Sequence, residues 1–244
     1  MPLLVGIEFF AGEAALTAAF EELVGPFAKY DLRYGDDMLS DDGLRRAITL
    51  MLCVGCSGYI HFGTPCKSWV ALSRGYTQRN PMAPAGPPRR HRSKHLDEYL
   101  ATHNRLADLT SFLIRMAIAL GHRYTVEQPV SSLLFSYSPI ACVAHNADSV
   151  SFCMGYFAGN TLKPLRIVGT ASWLHVFRDV YLRRKKTCAR PTEKLARTDK
   201  SGFTGIKRKL DESSAYTAVF GRCVALCHQG LEAAEVVAAL EHLS

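Results

Sequence analysis

The chain has 244 residues, 48% of them hydrophobic and 21% charged, with a net charge of +7. That balance is ordinary for a globular protein of one large domain, and no run approaches the length of a membrane span. The apolar N-terminus MPLLVGIEFF lacks the basic flank and small-residue cleavage site of a secretory signal, and eight cysteines in so long a chain are not a disulfide scaffold. The expectation is a soluble, intracellular protein with no membrane partner.

In chain order, LVGIEFF at 4–10 is a short apolar strand closed by Ala11-Gly12. Over 13–24, Ala15, Leu16, Ala19, Phe20 and Leu23 recur at helical spacing. PFAKYDL is a second strand run, ending in acid and glycine at YGDD. Ser40 or Asp41 caps a helix with Leu44, Ile48, Met51 and Leu52 on one face. An apolar run from Tyr59 to Phe62 stops at Gly63 and leads into Thr64-Pro65-Cys66.

Residues 77–94, rich in Pro, Gly and Arg, form an exposed loop. A long helix follows, striped by Leu96, Leu100, His103, Leu106, Leu109, Leu113, Met116 and Leu120 and stopped at Gly121. RYTVEQP is a strand running into proline, VSFCMGYF and LRIVGTASWL lean toward β, and a basic segment precedes two helices at about 213–228 and 231–243. Strands alternating with helices predict an α/β fold: a mostly parallel sheet with helices on both faces, in a single domain over 1–244.

Ligands of such sheets gather beyond the carboxyl ends of the strands. The glycine turn, Asp31, Asp36, Asp37, Cys66 and Glu127 all fall there. Gly12 permits a tight turn into a helix N-terminus. Asp31, about twenty residues on, is either a ribose contact or a solvated loop acid. Cys66 is either a buried structural thiol or a reactive one favoured by Lys67 and Arg74. Glu127, costly to bury without a partner, is either functional or paired with Arg123 or Arg105. Cys53, Cys142, Cys153, Cys223 and Cys227 are expected in the core. Cys53 and Cys56 form a C-x-x-C that no second pair or histidine completes as a metal site.

Between Arg178 and Lys209 lie twelve of the 29 basic residues and three of the 22 acids, so the remainder carries 17 basic against 19 acidic. A second patch, PPRRHRSKH at 87–95, holds no acid. Two acid-poor patches on an otherwise slightly acidic chain point to a polyanionic partner.

FFAG, then GTPC, then VEQPVSSLL, in this order, resemble the cofactor turn, nucleophile loop and carboxylate strand of DNA (cytosine-5) methyltransferases, which show F-x-G-x-G, P-C-Q and E-N-V. Divergent members of that family, with Gly-Thr before P-C, Arg-Gly after it and E-Q-P, are closer; CMGYF and KPLRIVGT are similar to the same group. The resemblance implies a Rossmann-like sheet binding S-adenosylmethionine. Phe10, Ala11, Gly12 and Gly63 would border the cofactor, Asp31 would hold its ribose, and Asp36 or Asp37 would face its adenine. It further implies that Cys66 attacks C6 of a cytosine in DNA while Glu127 contacts N3. Arg74, Arg89, Arg90, Arg92, Lys185, Lys186, Lys207 and Arg208 would meet the nucleic acid, with 178–210 as a target-region-like insertion. Ala14 stands for the second glycine, Lys67 for the glutamine, and Gln128-Pro129 for Asn-Val.

Two other readings remain at this stage. One is a nucleic-acid-binding module (DNA, with RNA as the alternative) of the same descent but catalytically impaired. The other is a thiol hydrolase pairing Cys66 with a histidine such as His61 or His122, although His61, inside a strand, also reads as a core histidine.

Overall fold

A computed structural model describes residues 3–193, 196–199, 202–205 and 215–241. Its centre is a six-stranded sheet made of β1 (Leu4–Phe9), β2 (Phe27–Tyr30), β3 (Val54–Phe62), β4 (Arg123–Pro129), β5 (Asp148–Cys153) and β6 (Pro164–Gly169), in the order β2-β1-β3-β4-β6-β5. The pairs β1/β2, β1/β3 and β3/β4 are parallel. Strand β6 runs against both of its neighbours, β4 and β5, so it alone points the other way. The fold is therefore α/β with a mostly parallel sheet. A short hairpin of β7 (Ala196–Asp199) and β8 (Gly202–Gly205) stands apart from the sheet.

Parallel strands need crossovers, and helices supply them on both faces. The short α3 (Arg74–Thr77) follows the cysteine loop. One face buries Ile7, Phe9, Ile60, Phe62, Tyr124 and Val126 under α2 (Asp41–Leu52), α4 (Lys94–Ala119) and α5 (Ser138–Ala144). The other packs Phe27, Tyr59, Phe152 and Ile167 against α1 (Ala15–Leu23), α6 (Leu174–Thr187), α7 (Ala218–His228) and α8 (Ala233–Glu241). Successive strand side chains alternate between these two cores, as the pleat requires. Each fully buried Phe or Leu contributes about 1.5–3 kcal/mol, so the two cores are the main source of stability.

The helix boundaries follow local chemistry. Ser40 Oγ accepts from the Gly43 N–H at 3.0 Å, with Asp41 and Asp42 in the first turn of α2. The 26-residue α4 is capped by Ser93, which accepts from Leu96 N–H at 3.3 Å, and ends beside Gly121 at φ +74°. Thr217 caps α7 by accepting from Phe220 N–H at 3.1 Å, which is why that helix starts at 218 rather than near 213.

Several expectations are corrected. Leu52 is 61% exposed because the buried stripe of α2 runs through Gly43, Ala47 and Met51, steps of four that carry Leu52 round to solvent. VSFCMGYF is strand only to Cys153; residues 154–157 coil into a buried 3₁₀ turn. Cys223 and Cys227 are core residues, but Cys142 is exposed on α5 and Cys53 and Cys153 are half-buried. The stretch 178–187 makes up most of α6, and Arg184 there is buried, not on the surface, donating to the Tyr156 carbonyl at 2.6 Å. No described helix is long and apolar enough to cross a membrane.

Candidate active site

Strand order reverses between β1 and β3: β2 lies to one side of β1 and β3–β4 to the other. Such switch points open a crevice beyond the carboxyl ends of the strands. The turn out of β1 lies at this place. Phe10, Gly12 and Ala14 all take left-handed backbone, at φ 58°, 54° and 56°. For Phe10 and Ala14 that conformation costs about 1–2 kcal/mol each, which the surrounding structure must offset. A side chain at Gly12 would meet nothing within 4 Å, so the turn borders open space.

Asp31, at the end of β2, ties that turn down: its Oδ2 accepts from Gly12 N–H at 3.1 Å and its Oδ1 from Arg33 N–H at 2.8 Å. Tyr34 closes the loop by donating to the Gly12 carbonyl at 2.9 Å. Asp36 is engaged elsewhere. Its carboxylate is buried and paired with Arg46 Nε at 2.5 Å, because an inward-turned acid needs a cation. Asp37 is exposed and accepts from Leu39 N–H at 2.9 Å.

The pairing of β3 with β4 sets Phe62 opposite Val126. Cys66, four residues past Phe62, and Glu127, one past Val126, therefore emerge at the same end of adjacent parallel strands. Gln128 locks the arrangement: its amide donates to the Thr64 carbonyl while its Oε1 accepts from Ser132 Oγ at 2.8 Å. Beyond the cysteine, Trp69 N–H donates to the Cys66 carbonyl and Leu133 N–H to the Trp69 carbonyl, both at 2.9 Å. Gly63 lies between the two halves of the site, where an added side chain would come within 3.1 Å of the Phe10 carbonyl and 3.2 Å of the Tyr216 hydroxyl.

Sulfur and carboxyl sense each other. Burial pushes the Cys66 thiol up; Lys163 draws it down, and the Glu127 charge pushes it up again. Burial likewise raises Glu127, against Lys163 and a hydrogen bond from Tyr216. Among the described residues, the cation acting on both groups is thus Lys163, from the approach to β6, rather than Lys67 or Arg74. Lys67 is exposed, and Arg74 donates to the Ser131 carbonyl at 2.9 Å, tying the cysteine loop to the turn after β4. Neither Arg123 nor Arg105 is seen paired with Glu127 among the described residues; its carboxyl meets the Tyr216 hydroxyl at 3.0 Å.

Sequence reasoning missed this Tyr216 contact and what lies behind it. His61 Nε2 is 2.9 Å from Tyr216 Oη, His61 Nδ1 is 2.8 Å from Thr125 Oγ1, and Thr125 Oγ1 is 2.7 Å from Tyr59 Oη. Register places Glu8, His61 and Thr125 side by side across β1, β3 and β4. The signal in the sequence is a polar residue among apolar neighbours in each of three strands, Glu8 in GIEF, His61 in YIHF and Thr125 in YTV; only the register shows that they form a row. Glu8 itself is fully buried and accepts from both Thr17 N–H and Thr17 Oγ1 at 2.7 Å. Burial drives His61 down to about 3, so it is a neutral core histidine with both ring nitrogens occupied. His122 precedes β4 and lies at the opposite end of the sheet from Cys66, so neither of these two histidines is placed as its base.

The basic residues divide by role. Arg89, Arg90, Lys185 and Lys186 are exposed. Arg92 is turned inward, donating to the Pro87 carbonyl at 2.6 Å and to Asp97 at 2.8 Å. Arg79, unremarked in the sequence, is buried against the Trp69 ring at 3.6 Å and donates to Ser68 Oγ at 2.9 Å and to the Pro84 carbonyl, anchoring the loop after Cys66. Lys207 and Arg208 lie outside the described residues. No protein-family model matches the chain, and no curated protein matches it significantly.

Proposed function

We propose that this protein is an S-adenosylmethionine-dependent methyltransferase of Rossmann-like fold that modifies C5 of cytosine in DNA through a Cys66 adduct. The observation that carries this reading is the meeting of Cys66 and Glu127, sixty-one positions apart, at the carboxyl ends of β3 and β4, with Lys163 influencing both. The crevice at the β1/β3 switch point, directly alongside, supports a nucleotide-like cofactor.

The residues there fit S-adenosylmethionine. Gly12 faces open space, and Phe10 is a partly exposed aromatic beside it. Phe10, Ala11, Gly12 and Gly63 would line the cofactor. Asp31 would reach the ribose with the lone pairs left over from its two backbone contacts, and Asp37 remains the acid available to the adenine. When bound, S-adenosylmethionine supplies an electrophilic methyl group.

The chain's own residues make the cytosine ready for it. Cytosine C5 is a poor nucleophile until a thiolate adds to C6. The Cys66 thiol gives its proton to water, with the nearby Lys163 charge favouring the anion, and the sulfur forms a bond to C6. The C5=C6 electron pair then shifts toward C5 and N3, where Glu127, whose carboxyl burial shifts toward the protonated form, donates its proton. The base must leave the duplex to reach these groups, and Arg89, Arg90, Lys185 and Lys186 supply phosphate contacts.

Incubating the protein with S-adenosylmethionine and DNA containing 5-fluorocytosine tests this. A covalent complex should accumulate in wild type and be absent in Cys66→Ser, with DNA binding retained. Equal adduct in both proteins would refute the assignment. A second reading, a nucleic-acid-binding module without transfer activity, draws on Asp31, already engaged by two N–H groups, and on Ala14 in a left-handed position. It expects no thermal shift with S-adenosylmethionine.

A further inference from the structure

The chain of polar groups behind Glu127 has a direction that can be worked out donor by donor. His61 is neutral and so carries one N–H. The Tyr216 hydroxyl donates its only hydrogen to Glu127 Oε2, so it must accept from His61 Nε2–H. His61 Nδ1 is then an acceptor and takes the Thr125 hydroxyl hydrogen, and Thr125 in turn accepts from Tyr59. Every donor points toward the carboxyl group. Reversing the chain would put hydrogen on Nδ1 and remove an acceptor, so that one hydroxyl hydrogen, of Thr125 or of Tyr59, both buried, would have no acceptor among the described residues.

The two Glu127 oxygens are therefore unequal. Oε2 is held as an acceptor, whereas Oε1 is buried with no hydrogen-bond partner among the described residues. We infer that Tyr216, oriented by the His61–Thr125–Tyr59 chain, is a positioning residue that confines the exchangeable Glu127 proton to Oε1, the oxygen left for a ring nitrogen of the substrate. A proton fixed there selects a base whose ring nitrogen accepts, as in cytosine, over one whose ring nitrogen donates, as in uracil. The inference rests on the function proposed above.

Tyr216 reaches this place from the far end of the chain. It immediately precedes Thr217, the cap of α7, and α7 presses onto α1 where Gly221 leaves no room: an added side chain would lie 2.4 Å from the Ala15 carbonyl oxygen. The groups facing Glu127 are Cys66, Lys163 and Tyr216; those facing Tyr216 are Glu127, Glu8, Tyr59 and His61.

The test uses the full chain carrying carboxyl-¹³C glutamate, with the Glu127 resonance assigned by Glu127→Gln. In Tyr216→Phe the Glu127 titration midpoint should move up by about one pH unit, because a donor to the charged form is gone. Trapping on 5-fluorocytosine DNA should slow about ten- to a hundredfold with DNA binding unchanged. An unmoved midpoint overturns the inference. Should Tyr216→Phe fail to fold, His61→Gln, whose amide restores the N–H donor, should keep trapping within about threefold of wild type, and His61→Leu should not; equal rates in the two also overturn it. Failure of wild type itself to trap would instead overturn the cytosine reading, while the carboxyl titration still decides the hydrogen-bond chain.

Discussion

Glu8→Gln separates the cost of a buried acid from its structural use. Glu8 is the next-to-last residue of β1 and has no exposure, and the two hydrogen bonds it accepts from Thr17 fasten β1 to the first turn of α1 across the glycine turn. Burial pushes its carboxyl from 4.5 up to about 7. At 1.36 kcal/mol per pH unit this corresponds to about 3 kcal/mol. The folded-state value lies above the unfolded one, so the contribution is fully present below about pH 4.5 and is lost as pH rises through about 7. Glutamine keeps an acceptor oxygen for both Thr17 donors and places its amide where Oε1 already lacks a partner, so it mimics the neutral acid. Urea unfolding followed by the fluorescence of Trp69 and Trp173 at half-unit steps from pH 4.5 to 8 provides the measurement. Wild type should lose about 3 kcal/mol relative to the variant across that window. His61, driven down to about 3, works in the opposite sense, favouring the fold as pH rises toward 6.5, but it is common to both proteins and cancels in the difference. A difference that stays flat across the window would refute the reasoning.

Gly221→Ala should destabilise by about 1–2 kcal/mol in urea, since over-packing against the Ala15 backbone outweighs the gain in helix propensity; an unchanged midpoint would deny the close approach of α7 and α1. Arg79→Lys, which loses the flat stacking on Trp69 and the fork to Ser68 and Pro84, should cost about 1–3 kcal/mol and speed proteolysis within residues 67–93; wild-type resistance would show that the loop does not depend on it. Replacing Arg89 and Arg90 together by alanine should lower the slope of log DNA affinity against log salt by about 2, and a slope equal to wild type would remove them from the interface.

Much of the fold was legible from pattern. Periodicity marks β1, β3, β4, α1 and α4, and Ser40 announces the cap of α2, because local hydrogen-bond chemistry sets such features within a few residues. What the pattern hides are partners far apart in the chain. Arg92 and Arg184 read as surface charge, yet one folds back onto Asp97 and the other beneath Tyr156. Asp36 and Asp37 are adjacent, but among the described residues only Asp36 is paired with a cation, Arg46, and is drawn inward. Lys163 stands among unremarkable neighbours, and nothing local marks it as the cation near Cys66.

By itself, the order of residues determined that Cys66 and Glu127 would stand at strand ends, since an apolar run followed by glycine or proline cannot continue as buried sheet. Whether those ends adjoin, and which cation and which hydroxyl they meet, was decided only when β3 took its place between β1 and β4 and α7 settled onto α1. The reason is range: turns and caps are settled over a few bonds, whereas the environment of a buried carboxyl is set by groups up to 89 positions away that approach it only once the two cores have closed.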